Sequence, residues 1–217
     1  MPKTFASLKY RNYRWWVSGA LVASVGTWMQ RVAQDWLVLT ELSNDSGVAI
    51  GITTALQFAP ALFFSAWAGA LADRVDRRKL LYVTQGSQGV LAAVLGALVL
   101  AGVAELWHVY VLAFLLGIAS AFDAPVRQVF VSELVPRERL ANAVGLNSAT
   151  FNTARLIGPG VAGLLIAAVG TGWVFVINAA SFGATLLALY RINTAEMFRE
   201  ERSKEGRGGT IRDGIAY

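Results

Sequence analysis

Six runs of mostly apolar residues divide the sequence, at about 15–39, 47–72, 79–102, 107–126, 141–168 and 172–190. About 20 such residues in a helix cover the roughly 30 Å of hydrocarbon in a bilayer. Inside that layer no water satisfies backbone N–H and C=O groups, so an isolated span of this length has to be α-helical. The bulk agrees: 55% of the 217 residues are hydrophobic and 15% are charged, too little polar surface to cover a soluble core. The expectation is an all-α, polytopic membrane protein with six transmembrane helices in a bundle over residues 1–191. Residues 192–217 turn abruptly to charge and Gly, and read as a cytoplasmic linker leading into something new.

The placement of Lys and Arg orients the bundle. Of 19 such residues, Lys3, Lys9, Arg11 and Arg14 precede the first run, and Arg74, Arg77, Arg78 and Lys79 separate the second and third. Arg127, Arg137 and Arg139 follow the fourth run, and Arg191, Arg199, Arg202, Lys204, Arg207 and Arg212 follow the last. The intervening turns near 40–47, 103–107 and 169–172 hold none. Positive loops stay cytoplasmic, which puts both ends inside a cell (inner or plasma) membrane. The net charge of +5 then faces anionic lipid, not nucleic acid. With no Cys and one His, no disulfide or clustered metal site is expected, and no nucleophile–base set can be placed. The chain does not read as an enzyme and no cofactor is expected.

Charge also appears where the bilayer disfavours it, and such groups ordinarily face a cavity or a partner. In 26-GTWMQRVAQDWLVL-39 the residues Gln30, Arg31, Gln34 and Asp35 sit beyond the middle of the first run. Arg31 and Asp35, four apart, share a helical face and can offset each other. In 147-NSATFNTARLIGPG-160, Ser148, Asn152 and Arg155 share a face, and Arg155 has no acid within a turn of its own helix. Asp123 and Arg127 are a further i,i+4 pair. Small residues four apart (Gly19 and Ala23, Ala66 and Ala70, Ala154, Gly158 and Ala162) are expected to pack helices closely. Trp15, Trp16, Trp36, Trp107 and Trp173 fall mostly near run ends and read as an aromatic belt.

The turn 69-GALADRVDRR-78 resembles the signature between the second and third helices of the major facilitator superfamily, G-x-x-x-D-[RK]-x-G-[RK]-[RK], with Asp76 at the usual Gly. Gly145, Ala154, Gly158-Pro159 and Ala162-Gly163 follow the family's antiporter motif, G-x8-G-x3-G-P-x2-G-G, with Ala at two Gly positions. The segment 136–163 is similar to the branch of enterobactin-exporter-like and drug–proton antiporters. Ala113 stands four residues before Gly117, where the family's fourth helix carries Arg.

That resemblance implies half of a twelve-helix fold, built from two inverted three-helix repeats, with the carboxy-terminal six-helix half missing. It implies a secondary transporter that exports a small amphiphilic, drug- or siderophore-like molecule by proton antiport. Gly69, Asp73, Arg74, Arg77 and Arg78 would form a cytoplasmic gate in which Asp73 latches the halves, with Arg127 as its partner in this half. Gly69 would allow close helix approach. Asp35 is the candidate protonatable group, with Arg31 and Arg155 tuning its charge or meeting an anionic substrate. Gln30, Gln34, Asn147 and Asn152 are candidate cavity contacts, and Gly158-Pro159 would bend the fifth helix. The rival expectation is a non-transporting truncated half or a membrane assembly subunit.

Overall fold

The computed structural model describes residues 3–198, apart from the side chains of residues 3, 4 and 73. The linker from residue 199 onward and the Asp73 side chain, with the latch expected of it, lie outside the described residues. Within them the chain is helical, without a strand. Six long helices follow one another: α1 Arg11–Trp36, α2 Gly47–Arg74, α3 Arg77–Leu100, α4 Leu106–Ser132, α5 Leu140–Val169 and α6 Thr171–Arg191.

Five of them, α2 to α6, are long and apolar enough to cross a membrane. The chain is therefore an all-α, multi-pass membrane protein. α1 has the length, 26 residues, but Gln30, Arg31, Gln34 and Asp35 lower its hydropathy, so the sixth span is not given by composition. Its end is also irregular: the helix loosens into a π-helical stretch over Leu37–Leu42.

Local chemistry sets the boundaries. Ser46 caps α2 by accepting from the Ala49 amide at 3.3 Å, and Asp76 caps α3 by accepting from the Lys79 amide at 3.1 Å. The Asp in place of the expected Gly therefore satisfies an otherwise orphaned donor of α3. α4 runs past its apolar stretch to Ser132, and Pro136 with a 3-10 turn at Arg137–Arg139 leads into α5. Between α5 and α6 only Gly170 intervenes, at φ +84°, a left-handed conformation that glycine adopts without steric cost.

The main packing pairs are α1 with α5 and α6, α4 with α2 and α3, and α3 with α6. Exchanging the first three helices with the last three leaves this set unchanged. α2 and α5 form the flanks: only 17% of each apolar window is buried, against 50% for α6. Large side chains on those flanks lie open, Leu62 at 81% and Leu156 at 83% exposure, as lipid or another protein surface would require. Two buried clusters fill the bundle. One, around Tyr13, Trp16, Leu81 and Phe130, sits by the charged turn; the other, around Met29, Leu95, Val109 and Phe175, sits toward the opposite end. Trp16 is thus core, not belt, and stacks edge-on against Phe130 at 5.0 Å.

Close backbone approach fixes two crossings. A Cβ on Gly158 would stand 2.5 Å from Trp28 Cβ, so α5 meets α1 there; one on Gly117 would stand 2.4 Å from the Gln57 carbonyl oxygen, so α4 meets α2. Gly19, Ala23, Ala154 and Ala162 are also buried, whereas the Ala66–Ala70 contact is not made. Ala66 is exposed, and α2 buries Thr53, Pro60, Ala68 and Ala72 instead. Gly69, Gly145 and Gly163 have nothing within 4 Å of an added Cβ, so Gly69 makes no close approach within this bundle.

Candidate functional site

α1, α2 and α5 converge on a cluster of cations and rings near the depth of Gly158. Because Gly158 admits the α1 backbone, Arg155, one turn earlier on α5, is brought against Trp28: its guanidinium carbon lies 5.5 Å from the indole centroid. Arg31 lies 4.6 Å from the same indole and 5.1 Å from the ring of Phe58 on α2. Phe151, one turn before Arg155, meets Trp28 edge-on at 5.8 Å. Phe151, Arg155 and Phe58 are exposed and Trp28 and Arg31 half-buried, so the cluster opens outward between the two flanking helices.

Its electrostatics are unbalanced. Neither Arg31 nor Arg155 forms an ion pair with a carboxylate among the described residues. Arg31 and Asp35 still act on each other's charge, as their spacing suggested, but form no contact ion pair, because the guanidinium turns onto Trp28 and Phe58 while Asp35 stays exposed. The Arg31 Nε is buried without a hydrogen-bond partner. A charge at membrane depth costs about 3 kcal/mol on insertion scales; a desolvated cation–π contact returns about 2 kcal/mol. Rings therefore make the cations tolerable and leave them positive. Such a surface can hold an anion against an aromatic wall.

The other expected contacts divide. Gln30 is buried in the α1–α6 seam, its Oε1 accepting from the Asn178 amide, whose own oxygen accepts from Ser181 Oγ at 3.0 Å. Gly26 lets this polar layer form, since a Cβ there would lie 2.4 Å from Asn178 Oδ1. Gln30 therefore joins helices and does not line the open face, which corrects the cavity role expected of it. Gln34 is likewise buried. Asn152 is exposed and donates to the Ser148 carbonyl at 2.9 Å, and Asn147 is half-buried.

At the charged turn, Arg77 pairs with Glu133 at the end of α4 and donates through Nε to the Ala72 carbonyl at 3.3 Å. Arg78 donates to the carbonyls of Leu189 and Tyr190, at 2.6 and 3.3 Å, where α6 leaves its last acceptors unfilled. Arg74 is exposed. Arg127 bonds Asp123 through Nε at 3.1 Å and Nη2 at 2.9 Å. Asp123, buried, also accepts from Thr84 Oγ1 and Gln85 Nε2, both at 2.8 Å. Arg127 is thus committed to Asp123. Sequence reasoning missed Trp28, Phe58 and Phe151; the signal was Trp28 three residues before Arg31 and Phe151 four before Arg155, both shared-face spacings.

Known proteins resemble this chain throughout. Residues 2–217 match the family described as transmembrane secretion effector. The staphyloferrin A transporter of Staphylococcus aureus is 32% identical over 178 residues, covering 81% of this chain and 44% of the relative. The multidrug efflux pump Tap of Mycolicibacterium fortuitum is 31% identical over 178 residues, covering 78% and 42%. Macrolide efflux protein A of Streptococcus pyogenes is 31% identical over 130 residues, covering 58% and 31%. The chain spans under half the length of these relatives.

Proposed function

The chain belongs to the transmembrane secretion effector family of the major facilitator superfamily, and on that premise we propose that it is one half of a secondary transporter exporting a small amphiphilic molecule. In this reading all six helices cross the cell membrane with both ends cytoplasmic, and the basic segments lie at the inner headgroups. α1 crosses because its polar residues face α6 or the open cluster and avoid acyl chains. The exchange symmetry of the packing fits two inverted three-helix repeats. A second six-helix half would cover the open flanks of α2 and α5.

One observation carries the proposal: Arg31 and Arg155, unpaired with any described carboxylate, are held by aromatic rings on an outward-facing surface at membrane depth. Dry packing gives no use for two such cations; an aqueous chamber with an anionic or polarisable substrate does. Relatives named for staphyloferrin A transport, multidrug efflux and macrolide efflux support export of bulky small molecules. Asp35, exposed one turn beyond Arg31, is the proton carrier in this scheme, and the charged turn at Gly69 to Arg78 is the inner gate that biases a rocking, alternating-access motion. Asn147 and Asn152 add polar contacts to the same wall. The test is flux in vesicles carrying the protein joined to its second half. A pH gradient drives substrate uptake if coupling is to protons, and equal flux with the gradient collapsed removes the antiport. No flux of any amphiphile tested would favour a non-transporting half or assembly subunit.

A further inference from the structure

The bundle's basic end holds two kinds of arginine. Arg77, Arg78 and Arg127 are consumed by Glu133, the α6 carbonyls and Asp123. Arg11, Arg14 and Arg191 are exposed and form no ion pair among the described residues. They nonetheless gather in one place. Arg11, Arg14, Trp15 and Ser18 line an open hollow of about 390 Å³ on α1, and Arg191, from the end of α6, lies 5.5 Å from the Trp15 ring centroid. The nearest acid along the chain, Glu196, lines a neighbouring hollow that Arg11 also borders, forms no ion pair among the described residues, and accepts from Asn193 Nδ2 at 2.9 Å.

The surface changes character along the helix axis. Positions 11, 14, 15, 18 and 22 share one face of α1 at helical spacing. That face begins with two guanidiniums, passes an indole and a hydroxyl, and ends on Val22, 48% exposed. On α6, Leu187 is 49% exposed one turn before Arg191. Between them the seam is closed: buried Gly19 sits so close to α6 that an added Cβ would lie 2.8 Å from the Ala184 carbonyl oxygen and from Ala188 Cβ, so Val22 and Leu187 stand on the surface over a tight helix contact. A polar, triply cationic hollow therefore lies next to an exposed apolar strip formed by Val22 and Leu187.

We propose that this α1–α6 surface is a binding site for one anionic phospholipid, its phosphate among Arg11, Arg14 and Arg191 and an acyl chain over the exposed side chains of Val22 and Leu187. Guanidinium groups match phosphate oxygens in a fixed fork, and Trp15 sits at the headgroup level that indoles favour. A soluble phosphate would fill only the hollow; the apolar strip selects a lipid. Near a membrane surface each basic residue strengthens anionic-lipid binding several-fold.

The test uses the purified protein and native mass spectrometry, with dioleoyl-phosphatidylglycerol and dioleoyl-phosphatidylcholine as the probes. One phosphatidylglycerol is expected to stay bound at collision energies that strip phosphatidylcholine. The R11Q/R14Q variant should lose that preference roughly tenfold or more, R191Q several-fold, and the charge-matched K79Q/R139Q variant should keep it. Equal retention of the two lipids, or unchanged retention in R11Q/R14Q, overturns the proposal. So does an equal loss in K79Q/R139Q, which would mean diffuse attraction. Displacement of the bound lipid by glycerol phosphate as readily as by phosphatidylglycerol would make the site a reader of phosphate alone and overturn the proposal.

Discussion

Replacing Asp123 by Ala tests how the end of the bundle at the charged turn is held. The carboxylate is 5% exposed and accepts four bonds: two from Arg127, one from Thr84 and one from Gln85. Its loss strands the Gln85 amide on α3, leaves the Thr84 hydroxyl only the Leu81 carbonyl at 3.3 Å, and leaves Arg127 the face of Trp16, 5.7 Å away. Removing one partner of a buried pair costs about 3–5 kcal/mol. The Arg127 side chain keeps 21% exposure and can recover some water, so about 3 kcal/mol is the better figure. At about 2–4 °C per kcal/mol for a chain of this size, the melting temperature should fall by roughly 6–12 °C. Tryptophan fluorescence during heating in mild detergent would read it. Asp123→Asn, which keeps an acceptor for Thr84 and Gln85, should lose about half as much. A cycle through Asp123→Ala, Arg127→Ala and the double variant should return a coupling of about 2 kcal/mol. A melting temperature within about 1 °C of the parent, or strictly additive losses, would refute the picture of a stressed, interdependent network.

Three further outcomes follow from the same geometry. Gly158→Val should destabilise by about 1–3 kcal/mol or more by pushing α5 off Trp28, whereas Gly145→Val, which meets nothing within 4 Å, should be silent; matched thermal melts compare them. Asp76→Ala should cost about 1 kcal/mol through the lost α3 cap and Asp76→Gly only a few tenths, measured the same way. On the proposed function, in the protein joined to its second half, Arg31→Ala and Arg155→Ala should each weaken substrate binding about tenfold or more with little change in melting temperature; an equal fall in stability would mark these arginines as packing elements.

The helices were readable because a bilayer leaves an apolar run of twenty residues few alternatives, and the turn at Asp73–Lys79 was readable because six charges in seven positions cannot enter hydrocarbon. α1 resisted that reading. Its polar residues look alike in the sequence, yet Gln30 serves the α6 seam through Asn178 while Arg31, the next residue, faces the rings. A rotation of one residue about the axis separates the two fates, and spacing alone cannot assign which face meets which neighbour. Arg31 and Asp35 form no contact pair for a related reason. Shared spacing permits an ion pair, but the rings of Trp28 and Phe58 compete for the guanidinium, and Phe58 arrives from another helix. The glycines of the antiporter-like motif divide likewise: only tertiary contact distinguishes Gly158, pressed on α1, from Gly145 and Gly163.

The single-residue reversal at Gly170 restricts what the fifth helix can do. With one left-handed residue between Val169 and Thr171, the adjoining tips of α5 and α6 are tethered at a fixed pivot, like the legs of a pair of compasses. Any swing of α5 that repositions Arg155 must therefore grow with distance from that pivot, being smallest at Gly170 and largest near Leu140. The space beside Arg155 would therefore widen most at the end of the bundle remote from the pivot.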